Sequence, residues 1–520
     1  MGIESFYTWI NKYFHRCYRP IDRAHIDVLC VDFSDILHTC FHKGPSFLQK
    51  CKEQSLTRLH NLCIKYHPTV LYVFFDGVSP FMKMKLKRSN LYSTKYTDAR
   101  DEGFIPENID FAIKACSVFV SNVETEINTT PINYFGGSQV IISSSLTPGE
   151  GEFKIIDHIN TLPNNQIKVI YSPDSDMVML SLLSNKDNIF IINDAKSDDL
   201  LNVDELRYEI AHFFNERIRQ ENIGVISNII KHFCITCLTI FKNDYVPMPF
   251  IKYDFENVMH TFRRYIRRFG LNLFNATGDI LFNNVLEMMR YIDENRFDER
   301  YPIDHIYSTF DFVVVGDTRT TSTIYNRDTA NLIDSERIYT LIHDISRSSL
   351  SIDEFIRNSC YDYMLLVDWM FKYYLRTPGL NMRFDYKFSF IPLIRTVYNV
   401  IHRNPRNIPN LIRDEQRILL NGNGYYTNEQ YMLYTFDSLR LSDIRVKTGY
   451  DATTDSYTIN PHCDLFTQMV PAQMRTAPPI RQIHSNTFIL MKVQIHLEED
   501  NYIVLSYGQN IDLNLTFYLR

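Results

Sequence analysis

The sequence predicts an α/β protein: a parallel sheet flanked by helices, then a mainly helical region with a small β-rich C-terminal part. Three observations predict it. Five short apolar runs in the first 200 residues are continuous, not alternating, as strands buried on both faces are. The segments between them hold helical patterns, and strand–helix alternation argues for a parallel sheet covered on both sides. From about residue 203 long helical patterns take over.

The predicted strands are 26–33 (IDVLCVDF), 69–75 (TVLYVFF), 139–143 (QVIIS), 167–171 (IKVIY) and 188–192 (NIFII). Helices are expected between them at 55–66, 109–126 and 152–162. Later helical patterns cover 204–217, 225–241, 255–269, 279–290, 335–345 and 362–375. A loop-rich stretch, 403–479, contains Pro405, Pro409, Pro461, Pro471, Pro478 and Pro479, and the end reads as strands at 487–494, 502–505 and 512–518. The expected division is 1–250 and 251–520.

Composition narrows the function classes. The chain has 520 residues, 45% hydrophobic and 22% charged, the balance of a packed protein and not of a disordered or collagen-like one. No run reaches the ~18 uninterrupted apolar residues that suggest a membrane span, so no membrane partner is expected. The first residues, MGIESFYTWINKYFHRCYRP, lack the apolar core and cleavage site of a signal peptide. They also miss the myristoylation pattern, with Phe6 where Ser or Thr is wanted.

The formal charge is −7, from 54 basic and 61 acidic residues. A protein dedicated to coating nucleic acid is usually basic. A metal nuclease differs, because it concentrates carboxylates that bound cations neutralise. The ten cysteines are scattered. Only Cys234 and Cys237 form a CxxC, inside the apolar run HFCITCLTIF, and without a second pair at zinc spacing they read as core thiols. Free thiols fit a reducing compartment. The expected location is the cytoplasm, with the nucleus left open.

Acids follow the strands. Asp32 ends the first, and Asp76 stands in FFDG after the second. Glu150 and Glu152 lie in PGEGE after the third, and Asp174 and Asp176 in SPDSD after the fourth. Carboxyl ends of parallel strands share one edge, where ligands bind, so six acids are expected on one rim. Asp244, in NDYVP after a helical pattern, is within reach of the same rim. A lone Asp after a strand is usually a turn or cap residue; four strand ends all bearing acids are harder to dismiss. Crowded carboxylates raise one another's pKa, and hard divalent cations relieve the repulsion. Mg²⁺ or Mn²⁺ takes carboxylate oxygens and water. Two such ions ~4 Å apart activate a water and stabilise the leaving oxygen of a phosphodiester. The glycines of PGEGE let Glu150 and Glu152 point at one centre.

These segments resemble the Xrn family of 5′→3′ exoribonucleases. The matching strings are MGIESFYTWI, VDFSDILHTCFH, FFDGVSPFMKMKLKRS, TPGEGEFKIIDHI, IYSPDSDMVMLSLL and FKNDYVPMP, in the family's order and spacing. The likeness is clear over 1–250. It continues faintly through NLIDSERIYTLI, DYMLLVDWMFKYYLRTPG, DYKFSFIPLI and LFTQMVP, where the family's second conserved region lies. It implies a PIN/flap-nuclease-like sheet, Mg²⁺ or Mn²⁺ at two sites, and Asp32, Asp76, Glu150, Glu152, Asp174, Asp176 and Asp244 as catalytic metal ligands. It implies single-stranded RNA as partner, hydrolysed from its 5′ end to mononucleotides.

The resemblance also assigns Lys83, Lys87 and Arg88 to a pocket for the 5′-phosphate. Where the family usually continues with two arginines this chain has Asn90 and Leu91, which cannot give arginine's bidentate recognition. His38 corresponds to the histidine on which the first base stacks, and Phe384 to a second stacking aromatic; Trp369 reads as core. Arg263, Arg264, Arg267 and Arg268 (FRRYIRRF) form a basic patch, either a backbone contact for the strand or a solvated face. Two rival functions stay open: a flap-type 5′ nuclease on DNA, and a non-catalytic RNA-binding relative.

Overall fold

In a computed structural model of the chain, the described residues are 2–3, 5–21, 26–40, 47–86, 118–193, 199–241, 243–246, 253–295, 339, 343, 350–388, 390–403, 407–426, 431, 450–451, 456–459, 494–497, 503–506 and 516–517. They divide into two units. The first comprises Val28–Pro80, Lys87–Lys154 and Tyr425–Arg520, the second Met1–Asp27, Phe81–Leu86 and Ile155–Gly424. The strands of the N-terminal half are β1 (Tyr18–Pro20), β2 (Val28–Asp32), β3 (Val70–Phe74), β4 (Gln139–Ser143), β5 (Lys168–Tyr171), β6 (Ile189–Ile192) and β7 (Asp199–Asn202).

In the first unit β3 lies between β2 and β4, all parallel. Asp32 stands opposite Phe74, and Phe74 opposite Ser143, so the three carboxyl ends are level. Every residue of β2 is buried, as a continuous apolar run requires. Helices Phe33–Cys40, Phe47–Tyr66 and Val118–Thr129 belong to this unit. Part of the 109–126 helix lies outside the described residues, as do Lys87, Arg88, Asn90 and Leu91.

In the second unit β5 and β6 are parallel. The sheet is not wholly parallel, however: β7 runs antiparallel to β6, and β1 antiparallel to β7. Both added strands are too short for a periodicity to show. Pro20, which lacks an N–H, is tolerated in β1 because strand pairing at a margin leaves donors unused.

Helices Val203–Phe214, Ile223–Ile240, Phe255–Phe269, Phe282–Glu294 and Ile352–Tyr374 follow the sequence expectation. Side-chain caps set three starts: Asn202 accepts from Glu205 N–H (3.0 Å), Asp254 from Asn257 N–H (2.8 Å) and Ser351 from Glu354 N–H (3.4 Å). Ser351 and Glu354 carry the S-x-x-E start signal, and Ser351 Oγ donates to Glu354 Oε2 (3.3 Å). That signal starts the last helix ten residues before the apolar pattern at 362 suggests. Of the 335–345 helix only Tyr339 and His343 are described, and of the 487–494 strand only Gln494. Five short C-terminal strands form a separate sheet. Two of them, Tyr450–Asp451 and Ser456–Ile459, fall in the stretch read as loop-rich.

Helix Ile223–Ile240 is long and apolar enough to cross a bilayer, but 67% of it is buried inside the protein. Cys234 and Cys237 on it are fully buried, and burial pushes both thiols up. They are core thiols, as expected, and among the described residues the cysteines are free. His232 on the same helix is 1% exposed. Its Nδ1–H donates to Asn228 O (2.8 Å) and its Nε2 accepts from Leu273 N–H (3.0 Å). Burial pushes its pKa from 6.5 down to about 4. The native state therefore holds this ring neutral while the unfolded chain protonates it below 6.5. The stability it contributes is complete above pH 6.5 and is lost as pH falls towards 4, by up to ~1.4 kcal/mol per pH unit. Denaturant unfolding of His232→Gln over pH 4–6.5 is expected to show a slope shallower by about that amount; an unchanged slope contradicts the assignment.

Candidate metal centre

The first set of acids is built by β2, β3 and the turn after β4. Asp32 ends β2 and is 2% exposed. Its Oδ1 accepts from Ser34 N–H (3.1 Å) and Asp35 N–H (3.4 Å), so the carboxylate sits at the N-terminus of the Phe33–Cys40 helix. That end of a helix favours negative charge. Asp76, just past β3, receives Gly151 N–H on Oδ1 (2.7 Å), while its own N–H donates to Ser34 Oγ (2.8 Å). Glu152 occupies the first turn of the Gly151–Thr161 helix, again at a positive helix end.

The turns that bear them are stitched together. Gly77 N–H donates to Gly149 O and Gly149 N–H to Val78 O, both at 2.8 Å. Lys154 Nζ donates to Phe75 O (2.8 Å) and Ser144 O (2.9 Å). Asp32, Asp76 and Glu152 each offer an oxygen, all within 4.8 Å of one another, which could hold a metal ion. Glu150, 1% exposed, directly precedes Gly151. A Cβ on Gly151 would lie 2.7 Å from both Asp32 oxygens, so only glycine lets the chain pass there.

The second set lies in the other unit. Asp174 caps the Ser175–Leu183 helix, accepting from Asp176 N–H (3.0 Å). Asp176 is fully buried, and neither of its oxygens has a hydrogen-bond partner. Burial raises its pKa well above the usual range, and the negative charges of Asp174 and Asp244 raise it further. Asp244 is 7% exposed and accepts from Lys83 Nζ at 2.7 Å. The Asp174 turn is backed by the N-terminal segment: Ile3 N–H donates to Ser175 Oγ (2.8 Å), and Tyr7 OH to the Asp174 carbonyl (3.1 Å). Gly2 has φ +63, and a Cβ there would fall 2.1 Å from Ser175 Oγ and 2.4 Å from Asp174 Oδ1.

Among the described residues, the group whose oxygens converge closely enough for one ion is Asp32, Asp76 and Glu152; Asp174, Asp176 and Asp244 offer the same donor type, with the charges of Asp174 and Asp244 acting on buried Asp176. Carboxylates alone suit Mg²⁺ or Mn²⁺. A buried carboxylate with two unbonded oxygens, such as Asp176, is costly unless a cation completes it.

The structure thus gathers Asp32, Asp76, Glu150 and Glu152 in one unit, and Asp174, Asp176 and Asp244 in the other. His38 is exposed on the helix that Asp32 caps, about 9 Å along its axis. Phe384 needs correction as an open stacking platform. It is 4% exposed, with its ring stacked on Trp369 at 5.7 Å and 23°. A cluster of aromatic residues buried together excludes water but leaves no face for a base. Trp369 is core, as expected, with Nε1 donating to Asn381 O (2.8 Å). The arginine patch is partly neutralised: Arg263 and Arg267 both pair with Glu216. Sequence reasoning missed Gly2, Ser175, Lys154 and Tyr374 as parts of these sites. For the first three the signal was present in MGIESF, SPDSD and PGEGEFK; for Tyr374, buried near the second set, there was none.

An α/β fold with carboxylates gathered at strand ends defines a class of proteins able to bind divalent metals. Residues 1–117 and 111–195 match the family described as XRN 5′-3′ exonuclease N-terminus. Similar proteins include 5′-3′ exoribonuclease 1 of Schizosaccharomyces pombe, 25% identical over 50% of this chain and 21% of that protein. They also include 5′-3′ exoribonuclease 2 of Arabidopsis thaliana (22%, over 38% and 25%) and 5′-3′ exoribonuclease 1 of Homo sapiens (24%, over 37% and 13%). The chain therefore spans a quarter or less of the length of these relatives. Among solved structures, the catalytic core of Rad2 in complex with DNA substrate overlaps with a TM-score of 0.33 and 12% identity, over 68% of this chain and 96% of that one.

Gly151→Ala and Gly2→Ala are each expected to leave circular dichroism unchanged and to weaken Mn²⁺ binding at least about tenfold, equivalent to ~1.4 kcal/mol. Mn²⁺ titration followed by electron paramagnetic resonance measures this. Wild-type affinity in both variants would mean the two turns do not need the missing side chains.

Proposed function

We propose that the chain is a metal-dependent 5′→3′ exoribonuclease that hydrolyses single-stranded RNA from its 5′ end to mononucleotides. The observation that supports it most is the largely buried carboxylates at strand and helix ends, three of them with oxygens close enough together for one ion, in a chain whose first 195 residues match the XRN family. The names of the similar proteins favour RNA over DNA as substrate.

On this reading Asp32, Asp76, Glu150 and Glu152 hold one Mg²⁺ or Mn²⁺, and Asp174, Asp176 and Asp244 hold another. Bound cations would supply an activated water and charge for the leaving oxygen of the phosphodiester. The chain's own residues set the rest. Buried helix N-termini fix the carboxylates before any ion arrives, which removes reorganisation from the chemical step. His38 offers an exposed ring for the first base, a sequence-tolerant contact suited to stepping along any RNA. Residues 1–250 carry all seven acids, in a reducing, cytoplasmic compartment.

Asp176→Asn is expected to reduce RNA hydrolysis by at least about a thousandfold, as loss of a central electrostatic group does, while the thermal midpoint without metal stays level or rises because a buried charge is removed. Hydrolysis at the wild-type rate would end the proposal. A second measurement compares 5′-monophosphate, 5′-triphosphate and 5′-hydroxyl RNA with a flapped DNA duplex, in magnesium and then in EDTA. Magnesium-dependent release of mononucleotides from RNA is expected; cleavage of the flapped DNA alone would favour the rival nuclease.

A further inference from the structure

Lys83, expected in a pocket for a terminal phosphate, pairs in the structure with one of the acids. Its side chain is 11% exposed, and that of its partner Asp244 is 10% exposed. Nζ lies 2.7 Å from Asp244 Oδ2 and 5.5 Å from the centre of the Tyr245 ring. Tyr245 is itself packed against Trp369, Tyr373 and Tyr374. Lys83 is also one of the charges that act on Asp176 and on Tyr374.

The segment that bears it is pinned. Phe81 N–H donates to Met382 O (2.9 Å) and Tyr386 N–H to Met82 S (3.0 Å). Lys85 Nζ donates to Asp385 Oδ1 (2.5 Å) and to Tyr386 O (2.8 Å). Two lysines two residues apart therefore have separate partners, and Lys83 is held on the acidic side.

We propose that Lys83 is a resident counter-ion of the Asp174, Asp176 and Asp244 set, holding the acids together without metal and lowering that set's affinity for a divalent cation. With all three acids ionised, as a cation beside them would require, three carboxylates and one ammonium leave a residual charge of −2, which one divalent ion balances. Without the ammonium the same three acids present −3 to the ion in a site of low dielectric, where each charge counts for more than in water. The lysine also occupies an Asp244 oxygen that a metal would otherwise take. The affinity of this set is thereby kept moderate, so the cation can leave and return, and Asp176 supplies the two open oxygens for it. The inference rests on the metal reading above.

The experiment uses the full chain and Mn²⁺ alone. Bound and free Mn²⁺ are counted by electron paramagnetic resonance for wild type, Lys83→Met, Lys83→Arg and Asp176→Asn, and thermal midpoints are taken with and without the ion. Asp176→Asn identifies the class of ions that belongs to this set. Lys83→Met is expected to bind that class at least about tenfold more tightly than wild type and to have a lower midpoint without metal. Lys83→Arg, which keeps the charge, is expected to match wild type. Equal or weaker binding in Lys83→Met overturns the counter-ion role. So does a Lys83→Met protein that is unfolded without metal and stays unfolded in Mn²⁺, because the ion must replace the lost charge. A wild-type protein that binds no Mn²⁺ sinks the metal reading itself, a result separate from either outcome for Lys83.

Discussion

Mutual repulsion between buried carboxylates is the constraint on which the rest of this structure depends. Asp32, Glu150, Glu152, Asp176 and Asp244 are all buried. Charges at such depth are tolerated only where something answers them. The fold answers with geometry. Asp32, Glu152 and Asp174 each sit at the start of a helix, where unpaired N–H groups present partial positive charge. Lys83 answers Asp244 directly. What these leave over, above all the open oxygens of Asp176, is what a divalent cation would take up.

The same constraint explains the small residues around the acids. Gly151 passes against Asp32 where a methyl group would collide with both oxygens. Gly2 passes against Ser175 and Asp174 in the same way. Each brings the backbone of a second segment onto a carboxylate turn and fixes it. Acids held this firmly are preorganised, so little reorganisation is needed when a charge is placed beside them.

The helical half shows how support is arranged at a distance. Trp369 and Tyr373 stack on one face of the Ile352–Tyr374 helix, and Tyr245, beside Asp244, packs its ring against both. Tyr363 OH donates to the Thr239 carbonyl (2.6 Å), tying that helix to the end of the helix that leads into Asp244. Phe384 belongs to this packing. Its burial shows that an aromatic found by resemblance in a faintly matching region can serve the core in place of the substrate.

The sequence by itself determined the buried strands, the main helices and the identity of the acids. A continuous apolar run specified strands covered on both faces at β2 and β5, but at β4 it specified only a strand, for its residues are exposed or half-buried; an acid directly after a strand is placed by chain connectivity alone. Tertiary structure decided the rest. The direction of β7 and β1 depends on pairing between segments far apart, and strands of three or four residues have no period to read. Lys83 is four residues from Lys87 in a basic string, and nothing local says that it turns inward to Asp244. Charge is a property of the residue, but its partner is set by what the folded chain brings within 3 Å, and that is where sequence stopped and packing chose.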